Sequence, residues 1–172
     1  MLSKKIEKAL NEQIGLEAAA SQKYLAMAIW CDAQGLEGSS EFFFNQSEEE
    51  RMHMMKIIHY IQEADGLAVV PSLSKPSSDY KNINTVVKAA YDSEKKVTKS
   101  IHSIVDLSLV EKDHTTYNFL QWYVAEQQEE EALMRKIIDR IKLIGEGPQS
   151  LYYIDQAILK AGKEAAVAEA AN

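Results

Sequence analysis

Cysteine occurs once in the 172 residues, at Cys31, so the chain has no internal disulfide framework and no thiolate cluster for zinc or an iron–sulfur group. Proline (3) and glycine (7) are scarce, too few for the many turns of an all-β protein. No apolar run reaches the roughly 18 residues of a membrane span. Met1-Leu2-Ser3-Lys4-Lys5 precedes no stretch apolar enough for a signal peptide. A cytoplasmic protein without a membrane is the expectation. Basic residues are in deficit too: 19 Lys and Arg against 26 Asp and Glu leave a net charge of −7. That balance argues against nucleic acid, which wants a basic face, and favours cations. What is present is 46% hydrophobic and 26% charged, the proportion of a folded domain, and it is rich in the helix formers Ala, Glu, Lys and Leu. The length fits a single domain over 1–172.

Helical periodicity runs from about Ser3 to Ala33 and stops at the Gly35 to Gly38 turn. It resumes after Ser39-Ser40, an N-cap pair, and continues to Asp65, with Gly66 as C-cap. Residues 66–82 hold Pro71, Pro76 and several serines and read as loop. A third helix is expected over Asn84 to Leu109 and a fourth over Thr115 to Ile144, ended by Gly145 and Gly147-Pro148. Leu151 to Leu159 reads as a short fifth helix, and the Ala-rich tail over about 161–172 as frayed. The long loop sets the topology. A helix of about 26 residues spans roughly 39 Å, and seventeen extended residues reach roughly 56 Å. The loop can therefore cross the whole bundle and make the second and third helices parallel. The expected fold is all-α: a four-helix bundle with one long crossover and a fifth C-terminal helix.

Acids stand where the core should be. In the first helix the core row is Leu10, Glu17, Tyr24, Cys31, flanked by Ile6, Gln13, Ala20, Met27. The second has Phe43, Glu50, Ile57 flanked by Ser47, Met54, Ile61, and the third Val87, Glu94, Ile101 flanked by Ala90, Val97, Ile104. The fourth has Leu120, Gln127, Met134, Ile141 flanked by Tyr123, Glu130, Ile137, Ile144. Each apolar stripe is interrupted near its middle by Glu or Gln. Burying unpaired carboxylates costs several kcal/mol per ion, and no Lys or Arg shares these stripes. His53 lies three residues after Glu50, on the same face. Glu17 and Glu50 are separated by 33 residues, as are Glu94 and Gln127. One shift of 77 carries Glu17, Glu50 and His53 onto Glu94, Gln127 and Glu130. The polar core is thus pseudo-twofold, and carboxylates with one imidazole suit iron, manganese or zinc. The pattern points to a dinuclear metal site.

Taken singly, these residues have plainer readings. A lone Glu-x-x-His is weak, and the Glu48 and Glu131 ends of the acidic runs read as solvated. Tyr24 reads as a core tyrosine bonded to a carboxylate, Trp122 as packing, Cys31 as a small apolar core residue, and His59, His102 and His114 as surface. The coincidence on four helices is what carries the metal reading.

The chain resembles a ferritin, and more narrowly a bacterial non-haem ferritin. The matching stretches are Asn11-Glu12-Gln13 through Glu17, Glu48-Glu49-Glu50-Arg51-Met52-His53, and Tyr117-Asn118-Phe119-Leu120-Gln121-Trp122-Tyr123-Val124-Ala125-Glu126-Gln127. Glu129-Glu130-Glu131 and Leu151-Tyr152-Tyr153-Ile154-Asp155 complete the likeness, which covers nearly the full length and departs after Lys160. The resemblance implies a ferroxidase centre. Its first iron would be bound by Glu17, Glu50 and His53 with Gln127 close by, its second by bridging Glu50 with Glu94 and Glu130. A third iron position matches Glu49, Glu126, Glu129 and Glu130. Tyr24 matches a tyrosine beside the dinuclear centre, an electron donor or hydrogen-bond partner. The resemblance further implies Fe(II) oxidation by dioxygen or hydrogen peroxide, a hollow homo-oligomeric cage of 24 subunits storing ferric oxyhydroxide, and a fifth helix lining the four-fold axis. Glu111, Asp113 and His114 are acidic enough in aggregate for an iron-admitting pore.

Rival readings fit less well. A rubrerythrin-like peroxidase or an oxygenase repeats Glu-x-x-His in both halves, whereas here the second copy is Gln127-x-x-Glu130. A haem-containing bacterioferritin wants that repeat as well, and a methionine directly after the bridging Glu, where this chain has Arg51. No haem is expected. Miniature DNA-protecting ferritins place iron at a subunit interface, and a bundle used only for protein contacts leaves the buried acids unexplained.

Overall fold

In the computed structural model, which describes residues 2–169, the chain forms α1 (Lys4–Ala33), α2 (Glu37–Glu63), α3 (Ile83–Val110), α4 (His114–Ile144) and α5 (Ser150–Glu169). No strand occurs among the described residues, and none of their helices is long and apolar enough to cross a membrane. The first four helices make the expected bundle. α1 packs closely on α2 and α3, and α3 on α4, while α5 lies against α2 and α4. α2 and α4 meet through side chains rather than backbone: Tyr60 stacks on Phe119 at 3.9 Å, and His53 meets Trp122 edge-on at 5.5 Å.

The crossover follows α1 for most of its length. Leu67 N–H donates to Glu7 Oε2 (3.2 Å), Val69 N–H to Asn11 Oδ1 (2.7 Å), and Asn11 Nδ2 to the Leu67 carbonyl (2.9 Å). Pro71 then sits against Gly15, and Tyr80 packs edge-on to Trp30. From Glu7 to Trp30 is about 35 Å of helix, so the loop does carry the chain from one end of the bundle to the other.

Three helix ends share one device. After α1, α2 and α3 a residue turns left-handed (Gly35, Asp65, Lys112), and the next N–H reaches back to the carbonyl of Cys31, Ile61 or Ser108 at 2.8–3.0 Å. The expectation for α2 is therefore corrected: Asp65 (φ 58°), not Gly66, takes the left-handed position. Gly66 is required for another reason, since a Cβ there would lie 2.9 Å from Ile61 Cγ2 and 3.1 Å from Glu7 Oε2.

Two further expectations are corrected. Ser39-Ser40 do not cap α2, which begins at Glu37 with both serines buried inside it. Its first amides are held instead by Asp155 of α5. Gly38 N–H and Ser39 N–H donate to the carboxylate at 3.0 and 2.7 Å, and Ser39 Oγ at 2.7 Å. The tail is also helical as far as Glu169 rather than frayed from about residue 161; residues 170–172 lie outside the described part. Alanine favours helix, and Ile154, Ile158 and Ala161 continue one buried face. Glu164 ties the segment to Lys136 and Arg140 at 2.7 and 2.9 Å.

The buried apolar side chains fall into two clusters. One contains Met27, Phe42, Phe43, Val86, Val87, Met134, Ile137, Ile154 and Ile158. The other contains Ile6, Leu10, Ile14, Ile57, Ile61, Ile101, Leu120 and Tyr123. The interrupting acids occupy the layer between them.

Candidate metal centre

Heptad spacing brings each interruption to the same level of the bundle. Glu17, Glu50, His53, Glu94, Gln127, Glu130 and Tyr24 are all buried, none more than 5% exposed. The ligand atoms of Glu17, Glu50 and His53 lie within 4.8 Å of one another. His53 Nδ1 is 3.5 Å from Glu50 Oε2 and 3.9 Å from Glu17 Oε2. Glu94 and Glu130 belong to the same charge cluster, for each raises the proton affinity of Glu50, although with Glu50 they do not converge as a three-ligand group. A second convergent group is formed by Glu49, His53 and Glu126, with His53 Nε2 3.7 Å from Glu126 Oε1. The four acids expected for a third ion are thus divided. Glu49 and Glu126 turn toward His53, while Glu129 is exposed. All four, Glu130 included, line a cleft of about 220 Å³ walled on the far side by Leu159, Gly162, Lys163 and Ala166 of α5.

Several acids are held by neutral donors. Gln13 Nε2 donates to Glu17 Oε1, and Tyr24 OH donates to Glu94 Oε1. Gln127 Nε2 reaches Glu94 Oε2 (3.2 Å) and Thr98 Oγ1 (3.3 Å), and Thr98 donates to Glu131 (2.7 Å). Glu131, expected to be solvated, is therefore half-buried and bonded to Thr98 and to Arg135 (3.2 Å). Gln46 Nε2 donates to Glu49 Oε2 at 2.6 Å. Even so, Glu17 Oε2, Glu50 Oε2, Glu130 Oε2 and His53 Nδ1 are buried without a protein hydrogen-bond partner. Orphaned buried acceptors call for an ion, a proton or water.

The electrostatics agree. Burial, then the charges of neighbouring glutamates, pushes Glu50 and Glu130 well above the usual carboxylate range. Burial raises Glu94 as well, opposed by the bonds from Tyr24 and Gln127. Burial and then the Glu94 charge hold Tyr24 protonated, and burial with Glu17 does the same for Tyr123. For His53 burial alone would lower the pKa, but Glu126 and Glu17 outweigh it and the net shift is upward. The cluster is thus short of positive charge, and a divalent cation would compete with these protons.

Some residues around the site leave little or no mark in the sequence pattern. Lys23, half-buried beside the site, donates to Ser93 Oγ at 2.8 Å and feels Glu94 and Glu50. It is off the core rows, so heptad reading passes over it. Gln13 and Tyr123 were on the flanking rows and could have been assigned by their distance from Glu17 and Gln127. Gln46 and Thr98 carried no signal. Elsewhere the plainer readings agree with the structure: His59, His102 and His114 are exposed. Cys31 is buried, its thiol pushed up to about 12 by burial and then by Asp155. Two pore candidates are engaged within the chain, Glu111 with Lys5 (2.8 Å) and Asp113 as the cap of α4.

Comparison with known proteins bears on this geometry directly. Residues 7–144 match the ferritin-like domain. A bacterial non-heme ferritin of Campylobacter jejuni is 45% identical over 158 residues, covering 92% of this chain and 95% of that protein. A probable bacterial non-heme ferritin-like protein of Haemophilus influenzae is 41% identical over 156 residues, covering 91% and 94%. Among solved structures, an open-pore ferritin from the hyperthermophilic archaeon Archaeoglobus fulgidus superposes with a TM-score of 0.89 at 39% identity, covering 92% of this chain and 98% of that one. The match extends over the four helices that carry the buried acids, and on it the chain belongs to the ferritin family.

Proposed function

We propose that this chain stores iron as ferritins do, and that its buried carboxylate–imidazole layer is a ferroxidase centre. One observation carries the reading: Glu17 Oε2, Glu50 Oε2, Glu130 Oε2 and His53 Nδ1 are orphaned together in one layer between two apolar clusters. A first Fe(II) is held by Glu17, Glu50 and His53, with Gln127 alongside. A second is held by Glu94 and Glu130, with Glu50 shared. Each Fe(II) gives up one electron, reducing dioxygen with two protons to hydrogen peroxide, or peroxide to water. The carboxylates release their protons as the ions bind, and their charge favours the ferric product. Tyr24, bonded to Glu94, orients that ligand.

Ferric ions leave by the cleft, where Glu49, Glu126, Glu129 and Glu130 form an outer station. They are stored as oxyhydroxide in a cytoplasmic cage of 24 copies of the chain, with α5 at its four-fold axis. The test is iron retained per chain after anaerobic ferrous loading, exposure to air and desalting. Many irons per chain, with elution as a large shell, are expected; retention of about two would make the protein a dinuclear oxidoreductase that stores nothing. Glu50→Ala combined with His53→Ala should abolish rapid ferrous oxidation while helicity is kept, and unchanged kinetics would refute the centre.

A further inference from the structure

The imidazole of His53 stands between two carboxylate groups, one at each nitrogen. Nδ1 faces Glu50 and Glu17 at 3.5 and 3.9 Å, and Nε2 faces Glu126 at 3.7 Å. Its ring is further constrained by Trp122 and Tyr123, both edge-on with centroids 5.5 Å away. A neutral imidazole can offer a lone pair on only one nitrogen, and the hydrogen bond made by the other decides which. Glu126 is the carboxylate placed to make that choice. Its side chain is 11% exposed, at the boundary between His53 and the cleft. The ammonium of Lys56, one turn after His53 and within the field of Glu126, is directed at the face of Trp122, 3.2 Å from the ring centroid.

We propose that Glu126 is a positioning residue shared between the two groups: it accepts the Nε2–H of His53, so that Nδ1 serves the ion between Glu17 and Glu50. Glu126 also belongs to the outer group with Glu49 and lines the cleft. A cation arriving in the cleft draws the same carboxylate outward and loosens the hold on His53. By linkage the coupling is reciprocal, so an occupied inner group weakens the outer one to the same degree. Filling of the outer station thus favours release from the inner one, in the direction storage requires. The inference rests on the reading of Glu17, Glu50 and His53 as an ion-binding set.

The test uses Co(II) as a redox-stable probe, titrated into the full assembly by calorimetry, with visible absorption reporting the coordination of the first ion. Removal of an outer partner of a ligating histidine costs about 10–100-fold in metal affinity, and Glu126→Ala should weaken the first Co(II) by that factor. Glu126→Gln, whose amide oxygen can still accept from Nε2–H, should recover most of the loss and the wild-type spectrum. Circular dichroism and shell elution of both variants exclude misfolding as the cause. A first-ion affinity unchanged in Glu126→Ala, or equal losses in the Ala and Gln variants, would overturn the proposal. His53→Ala separates the two readings. If it binds the first Co(II) like the wild type, both the ion-binding set and this inference fail; if it loses the ion while Glu126→Ala does not, only the inference fails.

Discussion

Tyr24 combines apolar packing with a buried hydrogen bond to a carboxylate. It is fully buried and stacks on Phe43 at 6.0 Å, so most of its surface is spent on the apolar cluster at one side of the site. Its hydroxyl nevertheless donates to Glu94, which burial alone would raise much further. Tyr24→Phe keeps the ring and removes the donor, leaving Glu94 with the Gln127 amide. A lost hydrogen bond to a charged group costs about 1.5–3 kcal/mol. The variant should unfold at lower temperature by scanning calorimetry and oxidise Fe(II) more slowly, yet still bind the first Co(II) with wild-type affinity. Loss of first-ion binding would show instead that Tyr24 shapes the Glu17–Glu50–His53 set. The sequence puts Tyr24 on a core row and gives it a carboxylate partner, but not which one, because α1 and α3 meet here across 70 residues of sequence.

At the scale of the element, α5 is where sequence and structure differ most. Its apolar signal ends near Leu159, and the Ala-rich stretch beyond it has no stripe of large residues to mark a buried face. The face is real but made of small residues: Ala161 is fully buried, and Gly162 lies so close to Phe42 that a Cβ would fall 2.6 Å from the ring. Asp155 couples this helix to the start of α2, where three donors converge on its carboxylate. Asp155→Ala removes the cap of one helix and the anchor of another. The expected cost is about 2–3 kcal/mol, the upper range for N-cap loss plus an orphaned buried hydroxyl. Thermal unfolding followed by circular dichroism would measure it, and proteolysis should cut earlier after Ile144. A variant as stable as the wild type would mean that apolar packing of Ile154 and Ile158 alone docks α5.

For the molecule as a whole, the buried acids make stability depend on pH and on metal. Glu50, Glu94 and Glu130 are raised in the folded chain, and so is His53. Groups raised on folding bind more protons in the native state than in the unfolded one. Their contribution is complete below their ordinary pKa and is lost as pH rises through the folded value. Iron-free protein should therefore lose stability from about pH 5 upward, by about 1.4 kcal/mol per pH unit for each extra proton held. Surface carboxylates such as Glu164 and Asp92, held down to about 2 by lysines and, for Glu164, an arginine, titrate below that window. Melting temperatures of the metal-free protein at pH 5, 6, 7 and 8 test the slope, which Glu50→Gln should flatten. Saturating Co(II) should raise the melting temperature most at the highest pH, where no protons have to leave. A metal-free protein equally stable at pH 5 and pH 8 would contradict the electrostatics described here.

Much of this was already legible in the order of the residues. Four long helices, the crossover and the polar layer follow from periodicity, because residues seven apart share a face whatever the helix packs against. A glutamate in each of three apolar rows, and a glutamine in the fourth, could therefore be set at one level before any contact was known. The tertiary structure decided what no local pattern encodes. Asp155 caps a helix 116 and 117 positions earlier, Lys23 reaches Ser93, and His53 lies between Glu126 and the Glu17–Glu50 pair. Such contacts depend on the angles and distances at which helices cross. Those are set by the summed packing of both apolar clusters rather than by any one stretch of sequence.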